Sequence, residues 1–173
     1  ESVDPLKDVD GFHPENLGLL TAGRPQFVPC TPKGIMRILK YYEIDPSGKH
    51  VVVLGRSNIV GRPLSILMSL KQSYSNATTT ICHSGTIDIP YYTQQADILI
   101  AAIGVPEFVT SDHIKDGAVI IDVGINRVED DSENGYTLVG DVHFDSVNGK
   151  ATAISPVPGG VGQIGRASCR ERV

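Results

Sequence analysis

A glycine-containing turn at residues 55–63, with the sequence Gly-Arg-Ser-Asn-Ile-Val-Gly-Arg-Pro, carries the residues of this chain best suited to bind a phosphate group. It follows the apolar run 51–54 and precedes a helical pattern. A helix N-terminus offers unpaired N–H groups and a partial positive charge, and glycine lets a ligand approach the main chain. Ser57 replaces the middle glycine of the dinucleotide motif G-x-G-x-x-G. The turn predicts a nucleotide site, with a ligand-free strand–turn–helix as the alternative; residue Ile59 excludes the hydrolase elbow G-x-S-x-G.

The next predicted strand ends in the sequence Cys-His-Ser-Gly at residues 82–85. In sites that prefer NAD, this position usually carries Asp or Glu, whose carboxylate binds the ribose hydroxyls. No carboxylate stands here to repel a 2′-phosphate, and Arg56, Ser84 and His83 can form charge-assisted hydrogen bonds with one. The residues therefore favour NADP as the cofactor. The alternative is that Arg56 and His83 are solvated turn residues.

Two further segments contain residue types that bind small molecules. Residues 8–13, Asp-Val-Asp-Gly-Phe-His, could coordinate a metal or accept hydrogen bonds from an amino-heterocycle, although their spacing alone favours a solvated turn. Residues 156–162, Pro-Val-Pro-Gly-Gly-Val-Gly, contain too much Pro and Gly for a regular helix or strand. We expect this second segment to be a loop that lines a ligand site rather than a linker.

The rest of the chain alternates between strand and helix patterns. Thr31 and Pro32 suit the N-cap and first residue of a helix over about 32–43. Residues 1–29 are rich in turn formers without a long periodic element, which indicates part of a neighbouring domain. The other patterns predict strands at 50–54, 77–82, 96–102 and 118–123, helices near 62–71, 88–95 and 111–114, and a surface loop or hairpin tip at 129–136.

This alternation predicts an α/β fold of Rossmann type, with a parallel sheet covered by helices on both faces. Ligands of such sheets bind at the carboxyl ends of the strands. The residues expected at those ends are Gly55–Ser57, His83–Ser84, Gly104 and Gly124–Ile125.

Composition excludes several classes of protein. The 173 residues are 40% hydrophobic and carry a net charge of −5, which argues against a nucleic-acid partner. No apolar run approaches the roughly 20 residues of a membrane span, so we expect no membrane partner. The three cysteines lie far apart and form no C-x-x-C motif, so we expect small buried thiols in the cytoplasm and no metal site.

Both ends of the chain look cut, because it begins with Glu1 rather than Met and because its composition changes abruptly after Gly162. Residues 164–173 back-translate to ATC GGA AGA GCG TCG TGT AGG GAA AGA GTG, which looks like a sequencing-library adapter. We therefore expect residues 163–173 to be adapter read-through, irregular and solvent-exposed, and not native sequence. A genuine basic tail is the alternative.

Six motifs together closely resemble, in order, those of the bifunctional methylenetetrahydrofolate dehydrogenase/methenyltetrahydrofolate cyclohydrolase family. The resemblance implies a two-domain subunit with a folate cleft between the domains. It also implies hydride transfer from 5,10-methylenetetrahydrofolate to NADP⁺, hydrolysis of the product to 10-formyltetrahydrofolate, and a cytoplasmic homodimer in one-carbon metabolism. The motifs are residues 7–13, 29–34, 55–63, 122–126, 139–142 and 156–162.

The same motif match implies two sets of site residues. Asp10 would bind the amino-pyrimidine edge of the pterin, where a carboxylate pairs with adjacent N–H donors. The residues that would contact the cofactor are Gly55, Arg56, Ser57, Ser84 and Ile125. The residues that would line the folate site are Pro156, Val157, Pro158, Gly159 and Gly160.

The chain departs from the family at its catalytic motif, a Y-x-x-x-K helix in the N-terminal half. None of its six tyrosines is followed by lysine at that spacing, so no catalytic residue is assigned and we expect the chain alone to lack both activities. We interpret residues 1–29 as a remnant of the folate domain and residues 30–162 as the NADP-binding domain. One alternative is an NADP-binding module without turnover. The other is a different Rossmann oxidoreductase, and Asp10 and the 156–162 loop argue against this second alternative.

Overall fold

A five-stranded parallel sheet forms the centre of the protein. The computed structural model describes residues 3–131 and 135–164. The strands lie in the order β2-β1-β3-β4-β7, and all neighbours run parallel. They are β1 (His50–Leu54), β2 (Thr78–Cys82), β3 (Ile98–Ala101), β4 (Val119–Asp122) and β7 (Ala153–Ile154). The expected α/β fold of Rossmann type is therefore confirmed, with four of the strands close to their predicted positions.

The sheet is buried on both faces because its strands are almost continuously apolar. In β1, Val51 and Val53 point into one core cluster while Val52 and Leu54 point into the other, and all four side chains are fully buried. This two-sided burial explains why the strand sequences show apolar runs instead of alternation. The sheet is consequently a rigid platform whose carboxyl edge can hold a site.

Five helices surround or flank this sheet. The longest, α2, buries Ile35, Ile38 and Leu39 at helical spacing, as the sequence predicts. Helices α2 and α3 contribute to one core cluster, whereas α4 and α5 contribute to the other. The helices are α1 (Pro14–Thr21), α2 (Cys30–Tyr41), α3 (Gly61–Ser69), α4 (Ile89–Thr93) and α5 (Phe144–Val147).

An antiparallel hairpin extends from the end of β4. It consists of β5 (Asn126–Glu129) and β6 (Tyr136–Val139), and the guanidinium carbon of Arg127 lies 4.6 Å from the centroid of the Tyr136 ring. The prediction of a surface loop or hairpin tip at 129–136 agrees with the end of β5 at Glu129 and the start of β6 at Tyr136. Residues 132–134 of the tip lie outside the described residues.

The N-terminal part contains one helix that the sequence analysis does not predict, and one predicted helix start is wrong. Residues 1–29 contain the helix α1, which packs against α3 and fully buries Leu20. A helix of two turns shows too little periodicity to be detected, although His13 and Pro14 mark its start as N-cap and first residue. Thr31 is not the N-cap of α2, because the helix already begins at Cys30 after Pro29.

The expectation of an irregular, solvent-exposed segment at 163–173 is wrong for Ile164 and wrong in part for Gln163, which is exposed but helical. Residues 161–164 form a helical turn, and the half-buried Ile164 packs against the same core cluster as Val161. Residues 165–173 lie outside the described residues.

The cysteines differ from one another. The expectation of small buried thiols holds for Cys82, which is free and buried, but Cys30 is disulfide-bonded. Across residues 3–131 and 135–164, no helix has both the length and the apolar character needed to cross a bilayer.

Candidate functional site

The glycine turn after β1 packs tightly against the end of β3. Gly55 has a φ of 117°, and a Cβ at this position would overlap the carbonyl oxygen of Ala102. A Cβ on Gly61 would in turn overlap the carbonyl oxygen of Gly55. Glycine is therefore required at both positions, because the backbone segments approach each other too closely for a side chain.

Ser57 satisfies the start of α3 from within the turn. Its Oγ accepts hydrogen bonds from the N–H groups of Val60, at 3.0 Å, and Gly61, at 3.4 Å. Its carbonyl oxygen accepts from the N–H group of Arg62 at 3.0 Å. The expectation of unpaired N–H groups at this helix start is therefore wrong for these three groups.

Two hydrogen-bond donors converge beside the turn. The Nδ1 atom of His83 accepts a hydrogen bond from the N–H group of Gly85 at 3.0 Å, so the neutral ring carries its proton on Nε2. That Nε2 atom lies 3.4 Å from Nη1 of Arg56, and a guanidinium has no acceptor. In this tautomer both groups donate toward the same space, and an acceptor between them would satisfy both.

These residues line a cavity of about 370 Å³ at the carboxyl ends of β1, β2 and β3. This is the place where the strand order reverses, since β2 and β3 lie on opposite sides of β1, and open α/β sheets bind ligands there. One end is polar and the other is apolar. The polar end is lined by Gly55, Arg56, Ser57, His83 and Ser84, and the apolar end by Ile89, Ile103, Val105 and Phe108. We call this space the first cavity.

A second cavity of about 160 Å³ lies where β4 ends. The 156–162 loop forms most of its wall, which agrees with the expectation that this segment is a loop at the sheet. Ile125 lines this second cavity and does not line the first, because β3 separates β4 from β1 in the sheet. The structure thus brings together four of the five expected cofactor residues and places the fifth beside Pro156, Val157, Pro158, Gly159 and Gly160.

Two buried aspartates that the sequence interpretation does not assign to a site, Asp122 and Asp141, bind backbone N–H groups at the ends of β3 and β4, and Asp122 lines the second cavity. The carboxylate of Asp122 accepts from the N–H groups of Gly124 at 2.9 Å, Asp141 at 3.0 Å and Val142 at 3.0 Å. The carboxylate of Asp141 accepts from the N–H groups of Ile103 at 2.7 Å and Gly104 at 2.9 Å. Oδ1 of Asp141 also accepts from Nδ2 of Asn126, at 2.9 Å. The sequence contains one signal for these buried carboxylates: Asp122 directly follows apolar strand residues, and Asp141 directly precedes the apolar residue Val142.

Burial controls the ionisation of Asp122, which is 3% exposed. Burial raises the pKa of this carboxyl to about 6, and the nearby charge of Asp141 adds to the effect, while the three backbone N–H groups oppose it. The side chain therefore changes its charge in a pH range where ordinary aspartates stay ionised.

The turn at residues 8–13 is organised by one of its two aspartates. The carboxylate of Asp8 accepts from the N–H group of His13 at 2.7 Å and from Nδ2 of Asn16 at 2.8 Å. Burial acts to raise the pKa of Asp8, but the hydrogen bonds outweigh it and hold the pKa below the usual value. Asp10 is exposed and lines neither cavity. Among the described residues, no group of three His, Cys, Asp or Glu stands close enough to hold a metal.

Comparisons with known proteins agree with this geometry. The model for the tetrahydrofolate dehydrogenase/cyclohydrolase family, NAD(P)-binding domain, matches residues 29–173. A bifunctional protein FolD of Halobacterium salinarum is 56% identical over 166 residues, which cover 96% of this chain and 56% of that protein. The chain thus spans about half the length of the curated relatives it matches.

Solved structures show the same likeness. The Trypanosoma brucei methylenetetrahydrofolate dehydrogenase-cyclohydrolase, complexed with NADP cofactor and inhibitor, has a TM-score of 0.89 and 40% identity, over 98% of this chain and 57% of that chain. The bifunctional dehydrogenase/cyclohydrolase of Thermoplasma acidophilum has a TM-score of 0.87 and 38% identity, over 98% and 57% of the two chains.

Proposed function

This chain belongs to the tetrahydrofolate dehydrogenase/cyclohydrolase family, and we propose that it forms the NADP-binding part of an enzyme of one-carbon metabolism. That enzyme oxidises 5,10-methylenetetrahydrofolate with NADP⁺ and hydrolyses the methenyl product to 10-formyltetrahydrofolate. The convergence of Arg56 and His83 on one space, at a strand end without a carboxylate, is the observation that carries the choice of NADP. The NADP bound to the Trypanosoma brucei relative supports it.

The 2′-phosphate of the cofactor lies at the polar end of the first cavity in this proposal. Arg56 supplies a permanent positive charge, and His83 donates from Nε2. The hydroxyl groups of Ser57 and Ser84, which line the same end, supply further donors. Ser57 keeps its own hydrogen for this purpose because its Oγ acts as an acceptor toward the start of α3.

The nicotinamide lies toward the second cavity, where Ile125 and the 156–162 loop would hold it against the folate. NADP⁺ supplies the hydride acceptor, and the chain's own residues orient its two ends. Ile125 is 59% exposed and offers an apolar surface to a planar ring. We propose that Pro156, Val157, Pro158, Gly159 and Gly160 line the folate site and that Asp10 binds the pterin through its exposed carboxylate.

The division of the chain into parts remains our proposal. Residues 1–29 belong with a folate-binding domain, and the start of the family match at residue 29 supports this boundary. Because no lysine occupies a Y-x-x-x-K motif in this sequence, we expect this chain alone to bind cofactor without turning over folate. A cytoplasmic homodimer of the whole enzyme, acting on tetrahydrofolate derivatives, completes the proposal; light scattering measures the dimer.

Titration of the chain with NADP⁺ and NAD⁺ tests the cofactor assignment. Arg56→Ala should weaken NADP⁺ binding by roughly 1.5–3 kcal/mol more than NAD⁺ binding, because a charge-assisted hydrogen bond to the 2′-phosphate is lost. Arg62→Ala is the matched control, since Nη1 of Arg62 donates to Oδ1 of Asn58 and the residue lines neither cavity. Equal losses for both cofactors in Arg56→Ala would show that this residue does not recognise the phosphate.

A further inference from the structure

Backbone N–H groups in the loops after β3 and β4 donate hydrogen bonds to two buried carboxylates, those of Asp141 and Asp122. Asp141 binds the N–H groups of Ile103 and Gly104, directly after β3. Asp122 binds the N–H group of Gly124, directly after β4, together with the N–H groups of Asp141 and Val142. Two carboxylates therefore connect three separate backbone segments at the carboxyl edge of the sheet.

Each of the two carboxylates packs against a glycine that lies close in sequence to the other aspartate. A Cβ on Gly140, the neighbour of Asp141, would overlap Oδ2 of Asp122. A Cβ on Gly124, which follows Asp122 by two residues, would overlap Oδ1 of Asp141. Each aspartate thus occupies space left by a glycine next to the other aspartate. This arrangement lets both carboxylates reach the main chain although both residues are buried.

The segments held in this way are walls of the two cavities. Ile103 and Val105 line the first cavity, and Gly124 and Ile125 line the second. We propose that Asp141 and Asp122 are positioning residues for the cofactor, which hold the β3 wall of the first cavity in a fixed relation to the β4 wall of the second. Neither residue lines the first cavity, so their effect on the cofactor passes through the backbone. The inference rests on the proposed function.

Asp141 performs this role because a carboxylate has only acceptors. Its Oδ2 serves two backbone N–H groups, and its Oδ1 serves Nδ2 of Asn126. An asparagine of the same shape is neutral and turns an NH₂ group toward one of these donors. Even when the amide of Asn126 turns to accept from that NH₂ group, the hydrogen bonds to Ile103 and Gly104 lose their charge assistance, and the Ile103–Gly104 segment loses part of its support. Exchanging the residue types at 126 and 141 restores an acceptor for each donor.

Calorimetric titration with NADP⁺ and with NAD⁺ tests the inference on the full chain, well below its unfolding temperature. Asp141→Asn should weaken the binding of NADP⁺ and of NAD⁺ at least tenfold and by similar factors. The reason is that the displaced Ile103–Gly104 wall contacts the part of the molecule that the two cofactors share. Hydrogen–deuterium exchange of residues 102–106 should become faster in the same variant. The double variant Asp141→Asn with Asn126→Asp should bind NADP⁺ within threefold of the unsubstituted chain.

Ile38→Ala is the control for a merely structural effect. Ile38 lies on α2, is buried in the core cluster and lines neither cavity, so its loss lowers stability without moving either wall. Its NADP⁺ affinity should stay within twofold of the unsubstituted chain. An equal loss of affinity in Ile38→Ala and Asp141→Asn would overturn the positioning role.

The remaining outcomes separate the inference from the proposed function. If the unsubstituted chain binds NADP⁺ and Asp141→Asn binds it within twofold, the inference is wrong and the proposed function stands. If the unsubstituted chain does not bind NADP⁺, the proposed function is wrong and the inference falls with it. If Asp141→Asn does not fold, the double variant decides: recovered binding supports the inference, and a folded double variant with weak binding overturns it.

Discussion

Two regions at the carboxyl edge of the sheet, the glycine turn and the backbone bound by Asp122 and Asp141, are maintained by different interactions. The glycine turn beside the first cavity is held by close backbone packing and by Ser57, and its polar groups face the cavity. The buried carboxylates of Asp122 and Asp141 hold the backbone after β4 and β3, which forms walls of both cavities. The first region keeps its shape through van der Waals exclusion, which does not depend on pH. The second keeps its shape through charge-assisted hydrogen bonds, which do.

This difference shows that the carboxyl edge of the sheet contains two kinds of structural constraint. Steric packing at the glycine turn tolerates no added atom but is insensitive to charge. The carboxylate network tolerates a change of shape or of charge poorly, because each of its four oxygens accepts a hydrogen bond from the backbone or from Asn126. Substitutions of similar size should therefore have different signatures in the two regions.

The largest effect is expected at the glycine turn. Gly55→Ala should lower the free energy of unfolding by about 4 kcal/mol, because its Cβ would overlap the carbonyl oxygen of Ala102 at a φ of 117°. Gly48→Ala is the matched control: Gly48 has a φ of 72° but no atom within 4 Å of the added Cβ, so about 1–2 kcal/mol is expected. Urea unfolding measures both, and similar losses would contradict steric exclusion at Gly55.

The carboxylate network should show the next largest effect, as a dependence on pH. The pKa of Asp122 is about 6 in the folded protein and about 3.9 in an unfolded chain, so the folded state takes up the proton first. Its contribution to stability is complete below pH 3.9 and is lost as the pH rises through about 6. Between pH 4 and pH 7 the loss amounts to up to about 3 kcal/mol. Asp122→Asn should lack this step in unfolding curves measured across that range; an unchanged slope would refute the raised pKa.

A smaller effect is expected for Ser57→Ala. The change removes the acceptor of the Val60 and Gly61 N–H groups, which costs about 1–2 kcal/mol of stability, as for the loss of an N-cap. Unlike Asp122→Asn, it should cost the same amount at pH 5 and pH 7, since no ionisable group takes part. Thermal unfolding at the two pH values provides the measurement. If the loss of stability in Ser57→Ala changed with pH, the glycine turn would not differ from the carboxylate network in its dependence on charge.

The smallest effect is expected beyond the second cavity. Ile164→Ala should lower the free energy of unfolding by about 1 kcal/mol, because the half-buried side chain packs against the core next to Val161. Gln163→Ala, at the exposed neighbouring position, should change stability by less than about 0.5 kcal/mol. Equal values for both variants in urea unfolding would indicate that residue 164 contributes nothing to the core.

The extent to which the sequence predicted each region follows from the same physics. Strands β1 to β4 and helix α2 were predicted because burial leaves apolar runs or a helical stripe, as in Val51–Leu54. The glycine turn was predicted because Gly55 and Gly61 have few substitutes. The aspartate network was not, since the donors to Asp141 lie 37 and 38 residues away in the sequence. The separation of Ile125 from the glycine turn depends on the strand order, which no local pattern contains.

The hydrogen bonds of Ser57 also determine how the protein meets its cofactor. Because Ser57 already binds the N–H groups of Val60, Gly61 and Arg62, the turn has its final shape before any ligand arrives. A preorganised loop avoids the entropy cost of ordering upon association. If the turn binds the cofactor as we propose, capture is a single encounter step, with an observed rate that rises linearly with cofactor concentration and reaches no plateau.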